Sequence, residues 1–115
     1  MSLIKKHCIP CEDKDMKPLT KTEAKKLLAE IPVWEIDESG HKISRTFELT
    51  NFVEAVDLIN KIADIAEEEG HHPDLVLFGY KNLTVELSTH SIGGLSENDF
   101  IVAARVDAVS DFGKI

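Results

Sequence analysis

The chain has 115 residues, 43% of them hydrophobic and 30% charged, which suits one domain with its own core rather than a disordered tail. Thirteen Lys and Arg stand against twenty-one Asp and Glu, a formal net charge of −8 at pH 7, and that balance argues against a nucleic-acid binder, whose affinity comes from clustered basic side chains. The longest apolar runs, Phe100 to Ala104 and Leu75 to Phe78, fall far short of the roughly 18 residues that span a bilayer, so no membrane partner is expected.

Residues 1–18 read as a flexible N-terminal arm closing at Pro18, and 19–115 as a single domain. Met1 to His7 hold no apolar stretch of secretory type, so a soluble cytoplasmic protein is expected. The arm carries one Cys-x-x-Cys, formed by Cys8 and Cys11 around Pro10. A zinc ribbon needs a second such pair, and a thioredoxin-like site needs a strand–helix unit behind it. With neither present, the pair reads as reduced and non-catalytic, with metal capture or redox sensing as the alternative. Thr20-Lys21-Thr22-Glu23 forms a capping box for a first helix, whose apolar positions Ala24, Leu27, Leu28 and Ile31 lead to a stop at Pro32. Val33 to Asp37 and His41 to Leu49 read as strands joined at Glu38-Ser39-Gly40, a hairpin with Ile43 and Phe47 on one face.

Thr50 or Asn51 caps a long helix that reaches about Glu69 and ends at Gly70. Phe52, Ala55, Val56, Ile59, Ile62, Ala63 and Ala66 form its apolar stripe, and Val53, Leu58 and Ile65 widen it. The widening suggests either a deeply buried helix or a second face used in self-association. Strands at Leu75 to Tyr80 and Leu83 to Thr89 flank Lys81-Asn82 as a turn, and Leu83, Val85 and Leu87 alternate with polar neighbours. After the loop Ser91 to Leu95, Ser96-x-x-Asp99 caps a last helix carrying Phe100, Val102, Ala103, Val106 and Val109. The order α-β-β-α-β-β-α gives an α+β domain, with helices packed on one face of a four-stranded antiparallel sheet.

The histidines are the informative residues. His71 and His72 directly follow the long helix, and Pro73 biases His72 toward extended backbone, so the two side chains should diverge. Glu67 stands one helical turn before His71, where it is expected to orient that ring. His90 ends the fourth strand beside Gly93-Gly94, and Asp99 lies in the first turn of the last helix, where a carboxylate is favoured on electrostatic grounds alone. Nothing distinguishes His7 or His41. No metal-ligand spacing, nucleophile elbow or phosphate loop is visible among these residues. What remains is proton transfer, because imidazole titrates near neutral pH and serves as acid or base without a cofactor.

The pattern Glu67-x₃-His71-His72-Pro73-x₆-Tyr80-x₉-His90-x₈-Asp99 resembles the signature of the pterin-4a-carbinolamine dehydratase family. The resemblance takes in Leu19-Thr20, Trp34, Thr89-His90, Gly93-Gly94-Leu95 and Ala103-Ala104, and covers roughly residues 18–107. It implies the same α-β-β-α-β-β-α fold and a cofactor-independent, metal-free dehydratase that converts a 4a-hydroxytetrahydropterin to quinonoid dihydropterin and water in tetrahydropterin recycling. By that resemblance His71 and His90 are proton donors at the 4a-hydroxyl, and His72 binds the pterin or acts as base. Glu67 and Asp99 orient the imidazoles, and Pro73, Leu75, Phe78 and Thr89 contact substrate. The family often has Trp where Leu75 stands, and the segment before Tyr80 is one residue longer here. Leu75 or Phe78 then remains to wall the flat ring. The resemblance also implies a homodimer or homotetramer. Alternatives are a dehydratase for a folate- or molybdopterin-type pterin, a dimerisation cofactor in transcription acting through the long helix, and a metal site involving Cys8 and Cys11.

Overall fold

The computed structural model describes residues 17–110. The arm with Cys8 and Cys11 therefore lies outside the described residues. The first helix, α1 (Lys21–Leu28), starts at the expected capping box, with Thr20 accepting from the Glu23 N–H and Glu23 accepting from the Thr20 N–H. A hairpin follows, β1 (Glu35–Ile36) and β2 (Ile43–Glu48), and β1 is shorter than the expected Val33 to Asp37. Asn51 caps α2 (Phe52–Glu69), and Gly70, left-handed at φ 65°, ends it. Strands β3 (Asp74–Phe78) and β4 (Asn82–Leu87), a 3₁₀ turn over His90–Ile92 and α3 (Glu97–Val109) complete the order read from the sequence.

The four strands pair antiparallel in the order β1-β2-β4-β3. Alternation sets the two faces. Ile43, Phe47, Leu83, Val85 and Leu87 point inward and are buried, whereas Thr46, Thr84 and Glu86 point outward, with the Thr46 and Thr84 hydroxyls 2.8 Å apart. The three helices cover the inner face with Ala24, Leu58, Ile62, Phe100, Val102 and Val106 in one core. Asp107 of α3 ties the hairpin to that core, accepting from Trp34 Nε1 at 2.8 Å and from Arg45 at 2.7 Å. Arg105 of α3 reaches α2, donating to Glu68 at 3.1 Å and Glu69 at 2.8 Å. No helix among the described residues is long and apolar enough to cross a membrane.

Two readings need correction. The β3–β4 turn lies at Gly79-Tyr80-Lys81, not Lys81-Asn82: Phe78 pairs with Asn82, and Gly79 (φ 54°) and Tyr80 (φ 56°) are both left-handed. Glycine takes that conformation without strain, and a tyrosine there gives no sequence signal. The second correction concerns α2. Leu58 and Ile65 are core residues, while Phe52 and Val53 are 52% and 67% exposed, Ala63 is exposed, and Val56 and Ile59 are half-buried. Ala55, Leu58, Ile62 and Ile65 form one stripe, and Phe52, Val56, Ile59 and Ala63 form a neighbouring one. Both keep helical spacing, so periodicity alone does not say which stripe meets the sheet.

Candidate active site

The site is built where three element ends meet: the end of α2, the end of β4 and the start of α3. Gly70 turns the chain off the α2 axis, and the His71 N–H still reaches the Ala66 carbonyl at 3.2 Å. That turn carries the His71 ring inward to 6% exposure, with Nε2 2.6 Å from Oδ1 of Asp99. Asp99 is fully buried because it is the third residue of α3 and doubles as the capping-box carboxylate, its Oδ2 accepting from the Ser96 N–H at 3.0 Å. The Thr89 hydroxyl, also buried, donates to the same Oδ2 at 2.8 Å and lies 2.8 Å from the Ser96 hydroxyl. One carboxylate therefore joins the chain after α2, the end of β4 and the cap of α3.

His72 diverges from His71, as Pro73 predicts. It is 60% exposed, and its Nε2 bonds to Glu67, itself 77% exposed. The expected pairing of Glu67 with His71 is therefore corrected: Glu67 serves His72, and Asp99 serves His71. The reason is local, because the i, i+4 relation holds only while the helix continues, and Gly70 ends it one residue before His71.

His90 follows Thr89 directly. Thr89 closes a small bridge with Gly94, its N–H donating to the Gly94 carbonyl at 2.8 Å, and Gly93 (φ 67°) ends the 3₁₀ turn between them. The chain after Pro18 is pinned to the same loop, the Leu19 N–H donating to the Leu95 carbonyl at 2.8 Å. A Cβ on Gly94 would lie 3.0 Å from Cβ of Pro18, so glycine is what allows this close passage. His90 is exposed and lines a cavity of about 300 Å³ with His41, Lys42, Ser88 and the Gly93-Gly94 backbone. His41, which no sequence signal singled out, lines the same cavity, its ring beside Gly94. The hairpin turn below it is organised by Asp37, which accepts from Ser39 (2.9 Å) and from the His41 and Lys42 N–H groups (2.8 and 3.1 Å). Slight burial works against the Asp37 charge, but these hydrogen bonds outweigh it and hold the carboxyl below its ordinary range.

The expected substrate contacts are placed differently from one another. Leu75 is half-buried on the core side of β3, whereas Phe78 is 48% exposed on the opposite face. With a period of two along the strand, one bound ring meets one of them and not both. Thr89 directs its hydroxyl to Asp99 rather than outward. Pro73 is half-buried beside the exposed His72. No group of three or more His, Cys, Asp or Glu side chains suited to a metal ion occurs among the described residues. The geometry thus offers two imidazoles held by carboxylates, His71 by Asp99 and His72 by Glu67, and a third, His90, lining a cavity; imidazoles of this kind are suited to moving protons.

Comparison with known proteins identifies the family. Residues 17–109 match the family model described as pterin 4 alpha carbinolamine dehydratase. A protein from Methylococcus capsulatus named for pterin-4-alpha-carbinolamine dehydratase is 47% identical over 95% of this chain and 94% of its own length. A mitochondrial protein of that name from Arabidopsis thaliana is 43% identical over 89% of this chain and 56% of its own length. Among solved structures, a transcriptional coactivator/pterin dehydratase from Brucella melitensis superposes with a TM-score of 0.77 at 29% identity, over 82% of this chain and 99% of the other. The chain belongs to the pterin-4-alpha-carbinolamine dehydratase family.

Proposed function

We propose that this protein dehydrates a 4a-hydroxytetrahydropterin, without a cofactor, in cytoplasmic tetrahydropterin recycling. The observation that carries the reading is the buried contact of His71 with Asp99, linked through the Thr89 hydroxyl to the 3₁₀ turn that His90 begins, beyond β4 rather than at its end. The reaction breaks the C4a–O bond. The hydroxyl leaves as water after accepting a proton, a ring nitrogen gives up its own proton, and the nitrogen's electrons form the new double bond of the quinonoid dihydropterin. His71 and His90 are the donors at the hydroxyl. His72, exposed and held by Glu67, binds the ring or takes the nitrogen proton. Asp99 and Glu67 hold the two rings in place. General acid–base help of this kind is worth about 10² to 10⁴ in rate, enough for a carbinolamine that also loses water unaided.

The test is stopped-flow decay of 4a-hydroxytetrahydropterin generated in place, with and without protein. Acceleration that disappears in a folded His90→Ala variant supports the reading. No acceleration by folded wild-type protein refutes it, and a substrate panel with other pterins then shows whether the same site serves a different ring substituent. The outward stripe of α2, with Phe52 and Val53 more than half exposed, favours a homo-oligomer built on that helix. The Brucella melitensis protein's description as a coactivator suggests that the same face also serves a protein partner.

A further inference from the structure

The Thr89 hydroxyl lies at the junction of the two proposed proton donors. Its oxygen is 2.8 Å from Oδ2 of Asp99, whose other oxygen is 2.6 Å from His71 Nε2, and its backbone leads directly into His90. The hydrogen bonds around it run in one direction. Oδ2 takes the Ser96 N–H and the Thr89 O–H, so the Thr89 oxygen is left to accept from the Ser96 hydroxyl 2.8 Å away. Oδ1 remains an acceptor, so His71 carries a hydrogen on Nε2, in the neutral ring and in the imidazolium alike. Asp99 is fully buried and Thr89 is 2% exposed, so no solvent competes for these bonds.

We propose that Thr89 is a positioning residue of the dehydratase site: its hydroxyl fixes the rotation of the Asp99 carboxylate, and with it the placement of the His71 ring relative to His90. The inference rests on the dehydratase reading for its kinetic consequence but not for its structural one. Thr89→Val keeps the shape and removes the hydroxyl. Asp99 then holds one donor instead of two on Oδ2, the Ser96 hydroxyl loses its acceptor, and the carboxylate is held on that side by the Ser96 N–H alone.

The experiment compares wild type, Thr89→Val and Thr89→Ser by stopped-flow turnover and by ¹⁵N NMR of the His71 ring. Thr89→Val is expected to lower kcat roughly ten- to a hundredfold with KM little changed, the usual cost of losing an outer hydrogen bond to an acting group. It is also expected to shift and broaden the His71 Nε2 resonance, which reports the geometry of the bond to Asp99, while Thr89→Ser restores both readouts. Wild-type kcat and His71 resonances in folded Thr89→Val overturn the proposal, as does a Thr89→Ser variant as impaired as the valine. Should the valine variant not fold, Thr89→Ala removes the same hydroxyl, and unchanged kcat and His71 resonances there overturn the proposal equally. If wild-type protein shows no turnover at all, the dehydratase reading fails, and the NMR comparison still decides whether Thr89 sets the His71 ring.

Discussion

Replacing Asp99 by Asn tests the His71 assignment without changing the shape of the site. The amide has two ways to sit. With its oxygen at the Oδ2 position it keeps the donors from Ser96 (3.0 Å) and Thr89 (2.8 Å) and turns its NH₂ toward His71 Nε2, 2.6 Å away. The opposite rotamer sets two buried donors against an NH₂, at about 1–3 kcal/mol for each unmade bond, or roughly 2–6 kcal/mol in all. The first orientation therefore wins, and Nε2 must give up its hydrogen to accept one from the amide. His71 then holds its single hydrogen on Nδ1, and an imidazolium there would place N–H against N–H. An acid that depends on this ring loses its function, so kcat should fall about 10²- to 10⁴-fold. Stability should fall by only about 1–2 kcal/mol, since the number of hydrogen bonds is nearly conserved. The assay is stopped-flow turnover across several pH values, beside a thermal melt of the same preparation. Wild-type turnover in a folded Asp99→Asn protein would refute the argument that His71 acts through its Asp99 contact.

Two further expectations separate the faces of α2 and the role of the hairpin turn. Leu58→Ala, at a fully buried core position, should cost about 2–5 kcal/mol and lower the melting temperature, whereas Val53→Glu should leave the melt unchanged and shift the sedimentation profile toward smaller species. An unchanged sedimentation profile for Val53→Glu would show that the outer stripe faces solvent alone. Because the Asp37 carboxyl is held below its ordinary value, its charge adds stability that is fully present above the unfolded-state value and is lost as pH falls through the folded one. The melting-temperature gap between wild type and Asp37→Asn should accordingly be steady at neutral pH and shrink below about pH 4, near the ordinary aspartate value. A gap independent of pH would mean that the turn is held by the Asx geometry and not by the charge.

The legible parts of this molecule are those whose cause is local. Thr20 with Glu23, Asn51, Gly70 and Ser96 with Asp99 each mark a helix end because a cap is a bond between neighbours in sequence, and all of them stand where the residues indicate. The divergence of His71 and His72 is equally local, a consequence of the proline that follows. What the sequence hides is tertiary. Asp99 reads as a cap, and a cap it is, yet its second oxygen reaches a histidine 28 residues away. Nothing in the spacing distinguishes that use from an ordinary N-terminal carboxylate.

Glu67 shows how a local rule misleads at a boundary. Helical spacing pairs it with His71, but the left-handed Gly70 cancels the spacing and hands Glu67 to His72, five positions on. The same glycine releases His71 to reach Asp99. A helix stop, read from sequence only as an ending, is therefore what sorts the two adjacent imidazoles into different environments, one buried on a carboxylate and one open to solvent. That sorting gives chemically identical neighbours distinct surroundings. A residue that restored helical geometry at position 70 would be expected to impair the site by misplacing both rings at once, even with all of the proposed catalytic side chains present.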